Sequence, residues 1–595
     1  MAWGPVRNGI ADLAGTPRTA IEAFSTRRRE IIEHLEAHGV SGGRAAQIAT
    51  YATRRAKTDV GAAVDLRAVW ADKAAELGID TGRLGEPVRA AARGVREAEL
   101  FDWLAGPTGV TERRSTFDRQ DVIKSLCDHL PNGAPVDDVM AMVELFLADP
   151  RVVAIGDDPS PTRWTTVDLL DRERRLVDTS IAGGDAGRAV VPADRVRVSL
   201  GEHPQLSDEQ RSMVAGLLRS GDGVELVVGA AGSGKTTALA VARACWEGSG
   251  NRVIGCALAA RAAQQLQDGS GIASSTLDRL LNDLATGRRT LGPTDVVVVD
   301  EAGMVGTRQL EALVSRATRG RAKVVLVGDP AQLPAIDAGG ALAGLARRLG
   351  AHHLTENHRQ TEDWERRVLH ELRSGDADEV GATYERHGRL DLADDGIDRV
   401  VDRWWHTRRH DRDVLLLAGR RDQVRALNRA IRERLSADGA VGPDRWAANG
   451  RRFAVGDEVV ALRNDDQVGV LNGTRGTITG GNRRKLTIET TDHRQVTIPI
   501  DYLEAGHLDH GYALTIHKAQ GLTADETIVL ADETLAREHT YVGLSRGRLT
   551  NHLSIAIADV FDDHPPEPPD DRSPSQRLDH MTSRSAAEDM GIDRW

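Results

Sequence analysis

The chain has 595 residues, of which 40% are hydrophobic, 28% charged and 4% aromatic, and its formal net charge is −12. This composition is typical of a soluble globular protein of several domains, and it excludes a collagen-like or wholly disordered chain. No apolar stretch is long enough to span a bilayer, and three cysteines cannot form a disulfide framework, so we expect a cytoplasmic protein. The acidic balance does not exclude a nucleic-acid partner, because a binding groove needs positive potential only locally.

The first 195 residues are expected to form helices and one small β element. In residues 1–110, apolar side chains recur at helical spacing, as in IEAFSTRRREIIEHLEAHG. Residues 111–195 contain two further predicted helices, two short strands and then a charged connector. Helices followed by a hairpin favour a winged-helix module. A wing can contact DNA or only pack against a neighbouring domain, and both roles stay open.

From residue 196, short apolar strands alternate with helices. The strands VELVVGA, NRVIGCAL, DVVVVD and KVVLVGD come first, and RDVLLLAGR, ETIVLAD and LSIAIAD follow later. Strands that are apolar on both faces and separated by helices are typical of a parallel sheet covered on both sides. The predicted fold class is therefore α/β, with one domain at 196–350 and a second formed by 351–451 and 511–561.

Two segments depart from this alternation. Residues 452–510 change to a period-two pattern with frequent turns, which predicts a small β-barrel inserted into the second domain. Residues 562–595 contain nine acidic and four basic residues together with several prolines. We expect this last segment to be a disordered acidic tail.

The stretch GAAGSGKT predicts a phosphate-binding loop. It matches the pattern G-x-x-x-x-G-K-[ST] and lies between the strand VELVV and the helix TTALAVA, the context that supports such a match. Backbone N–H groups of the loop and the helix N-terminus would face the phosphates, with Lys235 at the β- and γ-phosphates and Thr236 on Mg²⁺. The predicted ATP-binding residues of this loop are Gly229, Ala230, Ala231, Gly232, Ser233, Gly234, Lys235, Thr236 and Thr237.

Two carboxylates end the apolar strand DVVVVD. Asp300 is predicted to hold Mg²⁺ directly or through water, and Glu301 to orient and deprotonate the attacking water. This pair favours a hydrolase over a kinase. Gln332 in GDPAQLP follows the next strand and is predicted to contact the γ-phosphate.

The motifs occur in a fixed order along residues 196–560. They are LSDEQ, GAAGSGKT, GCALAARAAQQL, STLDRLL, VVDEAGM, GDPAQLPAI, ENHRQ, YALTIHKAQGLT and YVGLSRGR. This series resembles that of superfamily 1 DNA helicases, most closely the RecD-like 5′-to-3′ branch and, within it, the helicase half of TraA/TraI-type (MobF-class) conjugative relaxases. Three upstream segments resemble the region that follows the nicking domain of those relaxases: AIEAFSTRRREI, AAQIATYATRRAK and LRAVWADKAAELG.

The resemblance implies two RecA-like P-loop NTPase domains and assigns further roles. The inserted barrel would be SH3-like and help to enclose single-stranded DNA, although an insertion that only aids solubility is the alternative. Gln210 in LSDEQ would read the adenine, and Arg359 and Arg546 would be arginine fingers on two sides of the nucleotide. The catalytic set is then Glu301, Gln332, Arg359 and Arg546.

Candidate contacts to DNA phosphates lie in three of the motifs. They are Arg261, Ser275, Thr276, Thr515, His517 and Lys518. Contacts of this kind are independent of sequence and sensitive to salt. For His517, a structural role is the alternative.

The resemblance predicts an ATP- and Mg²⁺-dependent helicase that moves 5′-to-3′ on single-stranded DNA, unwinds duplex junctions and acts in conjugative transfer. The sequence contains no His-x-His pair, and its first tyrosine is Tyr51, so we expect a relaxase-type protein without the nicking chemistry. A separate nicking relaxase and conjugation coupling proteins are then expected partners. Two alternatives stay open: a recombination or repair helicase similar to the exonuclease V alpha subunit, and a docking module formed by residues 1–195.

Overall fold

The computed structural model describes residues 73–75, 97–130, 134–156, 162–393, 397–408, 412–556 and 572–595. Most of the predicted helices of residues 1–110 lie outside these ranges. The chain divides into two units, one of residues 1–110 and 117–166 and one of residues 111–116 and 167–595. No helix in the described ranges combines the length and apolar composition that a bilayer span requires.

The smaller unit contains helices followed by a β-hairpin, in the order that the sequence predicted. The elements are α1 (Glu97–Ala105), α2 (Arg119–His129), α3 (Val136–Leu147), β1 (Val152–Ala154) and β2 (Trp164–Thr166). Asp118 starts α2 through a capping box, since its carboxylate accepts from the Asp121 N–H at 3.0 Å. The core of this unit is built around the buried side chains of Leu104, Phe117 and Phe146.

The first part of the larger unit, called lobe 1 (residues 167–354), is built on a six-stranded parallel sheet. Its strands are β3 (Val224–Gly229), β4 (Arg252–Ala257), β5 (Ser274–Thr276), β6 (Asp295–Asp300), β7 (Lys323–Gly328) and β8 (His352–Leu354). Their spatial order is β5-β4-β6-β7-β3-β8, with every neighbour parallel. The carboxyl ends of all six strands therefore meet at one edge, as expected for a ligand site in an open α/β sheet.

Helices cover both faces of this sheet because successive residues of each strand, which point to opposite faces, are apolar. Val296 and Val298 face one core with the first group of helices, whereas Val297 and Val299 face the other. The helices on the first face are α5 (Ala193–Glu202), α6 (Asp208–Arg219), α7 (Lys235–Gly248) and α8 (Ala260–Ser270). Those on the second face are α4 (Val167–Ala182), α9 (Leu277–Ala285), α10 (Thr307–Gly320) and α11 (Ala341–Leu349).

The charged connector expected before residue 195 is in fact helix α4 of lobe 1. Leu176 and Val177 of α4 are buried in the same core as α10. The boundary drawn at residue 195 was therefore placed too late. The many charges of LLDRERRLVD lie on a helix whose apolar stripe still packs inward.

The second part, lobe 2 (residues 355–556), is built on a five-stranded parallel sheet. Its strands are β9 (Leu390–Ala393), β10 (Val414–Ala418), β18 (Ala513–Thr515), β19 (Ala524–Ala531) and β20 (Gly547–Ala556), in the order β18-β10-β19-β20-β9. Helices α12 (Asp363–Ser374), α13 (Val380–Arg386) and α17 (Arg537–Leu544) pack on one face, and α14 (Asp398–Arg408) and α15 (Arg421–Ala437) on the other. The two parallel sheets confirm the α/β prediction.

An antiparallel β segment, the insert (residues 446–510), interrupts lobe 2 between α15 and β18. A hairpin, β11 (Trp446–Ala448) and β12 (Arg451–Phe453), precedes a sheet of β13 (Glu458–Ala461), β14 (Arg475–Gly481), β15 (Lys485–Thr490), β16 (Gln495–Pro499) and β17 (Leu508–His510), with helix α16 (Ile500–Glu504) before the last strand. On β15 and β16, Leu486, Ile488, Val496 and Ile498 are buried and alternate with more exposed residues. This alternation is the period-two pattern on which the prediction rested.

The prediction of a disordered tail is wrong for residues 572–595, called the C-terminal segment. It contains α18 (Pro574–Thr582) and α19 (Gly591–Arg594). Ser573 caps α18, Leu578 and Met581 are buried against lobe 2, and Met590 is buried in a core of lobe 1. The prediction failed because the acidic and proline content was averaged over the whole stretch, which hid these few well-placed apolar side chains.

Candidate nucleotide and nucleic-acid site

The predicted phosphate-binding loop joins β3 to α7 at the carboxyl edge of the lobe 1 sheet. Gly232 and Gly234 have φ of 78° and 74°, a left-handed conformation that favours glycine. A Cβ atom on Gly232 would lie 2.6 Å from Cβ of Arg359, and one on Gly234 would collide with the side-chain amide of Gln210. Glycine is therefore required at both positions by conformation and by space.

Lys235, at the start of α7, folds its side chain back over this loop. Its Nζ donates to the carbonyl oxygens of Gly229 at 2.8 Å and Ala230 at 3.0 Å. Burial lowers the pKa of Lys235, and the nearby carboxylates, Glu301 foremost, oppose that shift. The ammonium thus lies within the loop, while Thr236 and Thr237 follow in the first turn of α7.

The predicted carboxylate pair stands at the end of β6, beside Lys235. Glu301 has a left-handed φ of 52°, which is uncommon for a residue with a side chain, and its N–H donates to Oδ1 of Asp300 at 3.0 Å. Burial, then repulsion from Glu301, raises the pKa of Asp300 to about 7, although Lys235 acts in the opposite direction. A buried carboxylate whose ionisation is disfavoured in this way suits a divalent cation, because the cation stabilises the ionised form.

Lobe 2 reaches this pair through Gln520, a residue that the sequence predictions missed. Its Nε2 donates to Oε2 of Glu301 at 3.0 Å and to Oε1 of Gln332 at 3.3 Å. Glu301 and Gln332 both belong to lobe 1, and Gln332 is buried. One amide group of lobe 2 therefore holds the predicted base and the predicted γ-phosphate contact together. The sequence signal that could have identified Gln520 is its position in the motif YALTIHKAQGLT, two residues after Lys518.

A second connection between the lobes passes through Tyr541 of α17. The Tyr541 hydroxyl accepts from the Ala231 N–H of the loop at 3.0 Å and donates to Oδ2 of Asp329 at 3.1 Å. The Arg373 Nε donates to the two oxygens of Asp329 at 3.2 and 3.1 Å. Burial and the Asp329 charge raise the pKa of Tyr541, so that its hydroxyl keeps the proton it donates. Sequence reasoning missed this group too, although Tyr541 lies in YVGLSRGR and Asp329 in GDPAQLPAI.

The two predicted arginine fingers lie together at the C-terminal end of α17. Nη1 of Arg359 donates to the Ser545 carbonyl oxygen at 2.7 Å. Arg546 donates to the Val542 carbonyl oxygen at 2.9 Å and to Oγ of Ser545 at 2.7 Å. Burial, followed by the charge of Arg359, lowers the pKa of Arg546 to about 9, while Glu301 acts in the opposite direction. None of these hydrogen-bond partners is a carboxylate, so none of these contacts neutralises either guanidinium charge.

Gln210 lies against the phosphate-binding loop from α6. Its Oε1 accepts from the Ser207 N–H at 3.0 Å in a capping box, and its Nε2 donates to the Ser233 carbonyl oxygen at 3.0 Å. The side chain is buried. The structure therefore places this residue beside the loop, where its predicted contact with adenine stays a prediction.

The candidate DNA contacts on lobe 1 are engaged within the protein. Arg261 of α8 donates to the Gly473 carbonyl oxygen of the insert, and burial lowers its pKa. Oγ1 of Thr276 accepts from the Arg279 N–H at 3.3 Å and caps α9, and Oγ of Ser275 donates to the Thr276 carbonyl oxygen at 3.4 Å. Arg261 thus connects lobe 1 with the insert, a role that its motif did not indicate.

The candidates on lobe 2 form one turn after β18. Oγ1 of Thr515 accepts from the Lys518 N–H at 3.3 Å and starts a 3₁₀ turn at Ile516–Ala519. His517 and Lys518 are exposed on this turn. Partial burial of the imidazole and the charge of Arg421 lower the pKa of His517, which favours its neutral form. Lys518 is the accessible cation of the turn.

Comparison with known proteins gives one family match in the upstream region and one in the region of the motif series. The AAA domain family matches residues 205–395, and the TrwC relaxase family matches residues 1–77. The probable conjugal transfer protein TraA of Sinorhizobium fredii (strain NBRC 101917 / NGR234) is 35% identical over 455 residues, which are 74% of this chain and 41% of that protein. The ATP-dependent RecD2 DNA helicase of Deinococcus radiodurans is 30% identical over 354 residues, 58% of this chain and 48% of that helicase.

The chain thus spans less than half the length of these two curated relatives. Among solved structures, the Pif1 helicase from Bacteroides in complex with ADP-AlF3 and ssDNA covers 59% of this chain and 92% of its own, at 20% identity and a TM-score of 0.41. The family matches cover part of the upstream region, most of lobe 1 and the beginning of lobe 2. In agreement with its motif series, the chain is similar to a RecD2 DNA helicase and to conjugal transfer proteins named TraA.

Proposed function

We propose that this chain is an ATP-driven DNA helicase and single-strand translocase that acts in conjugative DNA transfer. The observation that carries the proposal is the shared site, in which Gln520 of lobe 2 holds Glu301 and Gln332 of lobe 1. A nucleotide site divided between two α/β lobes lets ATP binding and hydrolysis change how the lobes meet. The names of the relatives, a conjugal transfer protein and an ATP-dependent DNA helicase, agree with this function.

In the proposed ATP complex, lobe 1 binds the nucleotide. Gln210 contacts the adenine, the N–H groups of the loop surround the phosphates, and Lys235 leaves its two carbonyl partners for the β- and γ-phosphates. Thr236 and Asp300 would hold Mg²⁺, and the raised pKa of Asp300 supports that assignment. When bound, the metal ion would neutralise charge on the phosphates.

For hydrolysis, Glu301 is the proposed base that orients and deprotonates the attacking water. Gln332 contacts the γ-phosphate, and Arg359 and Arg546 stabilise the charge of the transferring phosphoryl group. Both guanidiniums are bonded to neutral acceptors rather than to carboxylates, which supports these roles. Gln520 positions the base and the γ-phosphate contact relative to each other.

The proposed DNA track crosses both lobes. Lys518 and Thr515, with His517 beside them, would contact phosphates from lobe 2, and Ser275, Thr276 and Arg261 belong to the lobe 1 side. The insert would be an SH3-like barrel that helps to enclose the strand, and its hydrogen bond from Arg261 supports a role next to this track. A winged-helix role for residues 111–166 and movement in the 5′-to-3′ direction belong to the same proposal. A separate nicking relaxase and coupling proteins are its proposed partners in the cytoplasm.

The function is tested by measuring ATP hydrolysis with and without single-stranded DNA and then unwinding of tailed duplexes. We expect DNA to stimulate turnover, a duplex with a 5′ tail to be unwound in preference to one with a 3′ tail, and Lys235→Ala to lack both activities. Turnover that does not respond to DNA would contradict a DNA motor. Preference for a 3′ tail would contradict the direction alone.

A further inference from the structure

Helix α15 carries a row of arginines that the nucleotide site does not use. Arg421, Arg425 and Arg429 are each four residues apart, and all three are exposed. Residues at this spacing lie on one helix face, about 6 Å apart along the axis. We call these three residues the arginine row. In the ranges that the structure describes, none of the three has a hydrogen-bond or ion-pair partner.

The arginine row runs into a cleft between α15 and the insert. The cleft has a volume of about 750 Å³, and Arg425 and Arg429 line it. Three further arginines and three acidic residues also face it, namely Arg432, Arg451, Arg452, Glu433, Asp444 and Asp509. The formal charge of this lining is therefore positive, in a chain whose net charge is −12.

Most of the acidic charge in the cleft is already neutralised by other arginines. Asp444 pairs with Arg432 at 2.8 Å and with Arg452 at 3.3 Å, and Asp509 pairs with Arg451 at 3.1 Å. Of the three acidic residues named above, only Glu433 is then left to face Arg425 and Arg429, and one carboxylate does not compensate both charges.

The row starts beside the proposed DNA turn. Asn428 of α15 exchanges hydrogen bonds with the backbone of Ala513 at 3.2 and 2.9 Å, so α15 packs against β18, the strand that leads into that turn. Partial burial, followed by the nearby Arg421 charge, lowers the pKa of His517; at Lys518 the same two causes act, and Asp509 opposes them. From Arg421, the row leads away from Lys518 along α15 into the cleft. A strand that leaves the turn would meet these guanidiniums one after another.

Like charges four residues apart destabilise an isolated helix by a few tenths of a kcal/mol per pair, so the row is not explained by helix stability. Arginine is well suited to bind phosphate because its planar guanidinium presents several fixed donors. We propose that the arginine row binds successive backbone phosphates of a nucleic-acid strand and guides that strand from the lobe 2 turn into the cleft. This proposal rests on the proposed DNA-binding function and adds a site to it.

The test is the salt dependence of binding of a fluorescent single-stranded oligonucleotide to the full chain. For single strands, each lost phosphate contact lowers the slope of log Kobs against log salt by about 0.7 in magnitude. The double variant Arg425→Gln with Arg429→Gln is therefore expected to lose about 1.4 from the slope. Charge reversal, Arg425→Glu with Arg429→Glu, should weaken binding further at low salt.

The matched control is Arg367→Gln with Arg386→Gln. These arginines are exposed on α12 and α13, which pack on the opposite face of the lobe 2 sheet, and the two substitutions remove the same number of positive charges. The control variant should keep a salt-dependence slope close to that of the wild type. An equal slope in wild type and the Arg425/Arg429 variant would overturn the proposal and leave the row as a solvated face. DNA-stimulated ATP hydrolysis that persists in this variant separates failure of the row from failure of the motor function.

Discussion

At the scale of single residues, the most informative group is the Gln520 amide. One nitrogen serves two lobe 1 acceptors, Oε2 of Glu301 and Oε1 of Gln332. Such a group can fix the relative positions of a base and a phosphate contact, which matters because small misplacements of reacting groups reduce rates strongly. Its contribution should therefore be found in turnover rather than in nucleotide binding.

Gln520→Ala is expected to lower kcat for ATP hydrolysis about tenfold or more while changing the KM for ATP little, because it removes a positioned donor and not a phosphate ligand. Steady-state hydrolysis at saturating DNA measures both constants. Gln264→Ala, which removes an exposed amide bonded to Asp268 on α8, is the matched control. A rise in KM with unchanged kcat would contradict the positioning role.

Asp300 provides a pH-dependent prediction. Its pKa in the folded protein is raised to about 7, above the ordinary value of 3.8 for an unfolded chain. The folded state therefore binds more protons between these values, and the free energy of unfolding should fall as pH rises through this range. Asp300→Asn should remove that loss, so that the variant is relatively more stable than the wild type above pH 7 when Mg²⁺ is absent.

Chemical denaturation from pH 5 to 8 in EDTA measures this difference, and Asp178→Asn on the outer surface of α4 serves as control. Added Mg²⁺ should stabilise the wild type more at pH 8 than at pH 6, because the ion competes with the proton at Asp300. Parallel pH profiles for wild type and Asp300→Asn would contradict the raised pKa.

At the scale of elements, the C-terminal segment shows where composition fails as a guide. Its α18 is fixed by the Ser573 cap and by Leu578 and Met581, and its last turn by Met590. Backbone N–H groups of this segment also donate to buried carboxylates. The Ala586 N–H donates to Glu538 at 2.7 Å, and the Gly591 N–H donates to Glu173 at 3.0 Å. The segment is therefore part of the folded unit.

Met590→Ala is expected to lower the free energy of unfolding by about 2–5 kcal/mol, since it removes a fully buried side chain from the lobe 1 core. Trp595→Ala is the control, because Trp595 is 61% exposed and its ring only meets the guanidinium of Arg174 at 4.2 Å. Urea unfolding followed by circular dichroism measures both. Equal, negligible effects would mean that the segment is not packed in solution.

The sequence predicted the strands and helices of both lobes well because each buried strand is a short apolar run that local pattern reveals. It also indicated the phosphate-binding loop, the carboxylate pair and both arginines as candidates, since these lie in contiguous motifs, and their roles stay predictions. The sequence did not predict a role for Gln520 or Tyr541, because their hydrogen-bond partners are distant in the chain. Glu301 is 219 residues from Gln520, and Ala231 is 310 residues from Tyr541. Only the packing of lobe 2 on lobe 1 brings such partners together. Helix α4 was misassigned for a related reason, as its charges mask an apolar stripe.

At the scale of the whole molecule, the two lobes meet at the nucleotide site through polar side chains and through a shared apolar cluster, in which Ala231 and Leu333 of lobe 1 pack with residues of lobe 2. Tyr541 is central, because it contacts the phosphate-binding loop and Asp329 together while Arg373 balances the Asp329 charge. The lobes are thus linked through groups that nucleotide binding would rearrange.

Tyr541→Phe leaves the Ala231 N–H and one oxygen of Asp329 without this partner, so the free energy of unfolding should fall by about 1–3 kcal/mol. The KM for ATP should also rise, because the loop loses a contact that fixes Ala231. Tyr502→Phe removes a similar hydroxyl, bonded to the Arg463 carbonyl oxygen at 2.6 Å within the insert. This control should lower stability without altering the KM, and an equal effect of both variants on the KM would contradict the specific role of Tyr541.

The path of the C-terminal segment also sets a limit on motion. Ala586 is bonded to Glu538 of lobe 2, and Gly591 to Glu173 of lobe 1. Five peptide units separate their Cα atoms, and a fully extended chain of that length measures at most about 18 Å. While both hydrogen bonds are intact, the lobes can move apart only until residues 586–591 are fully extended. Any wider separation must first break the bond to Glu538 or the bond to Glu173.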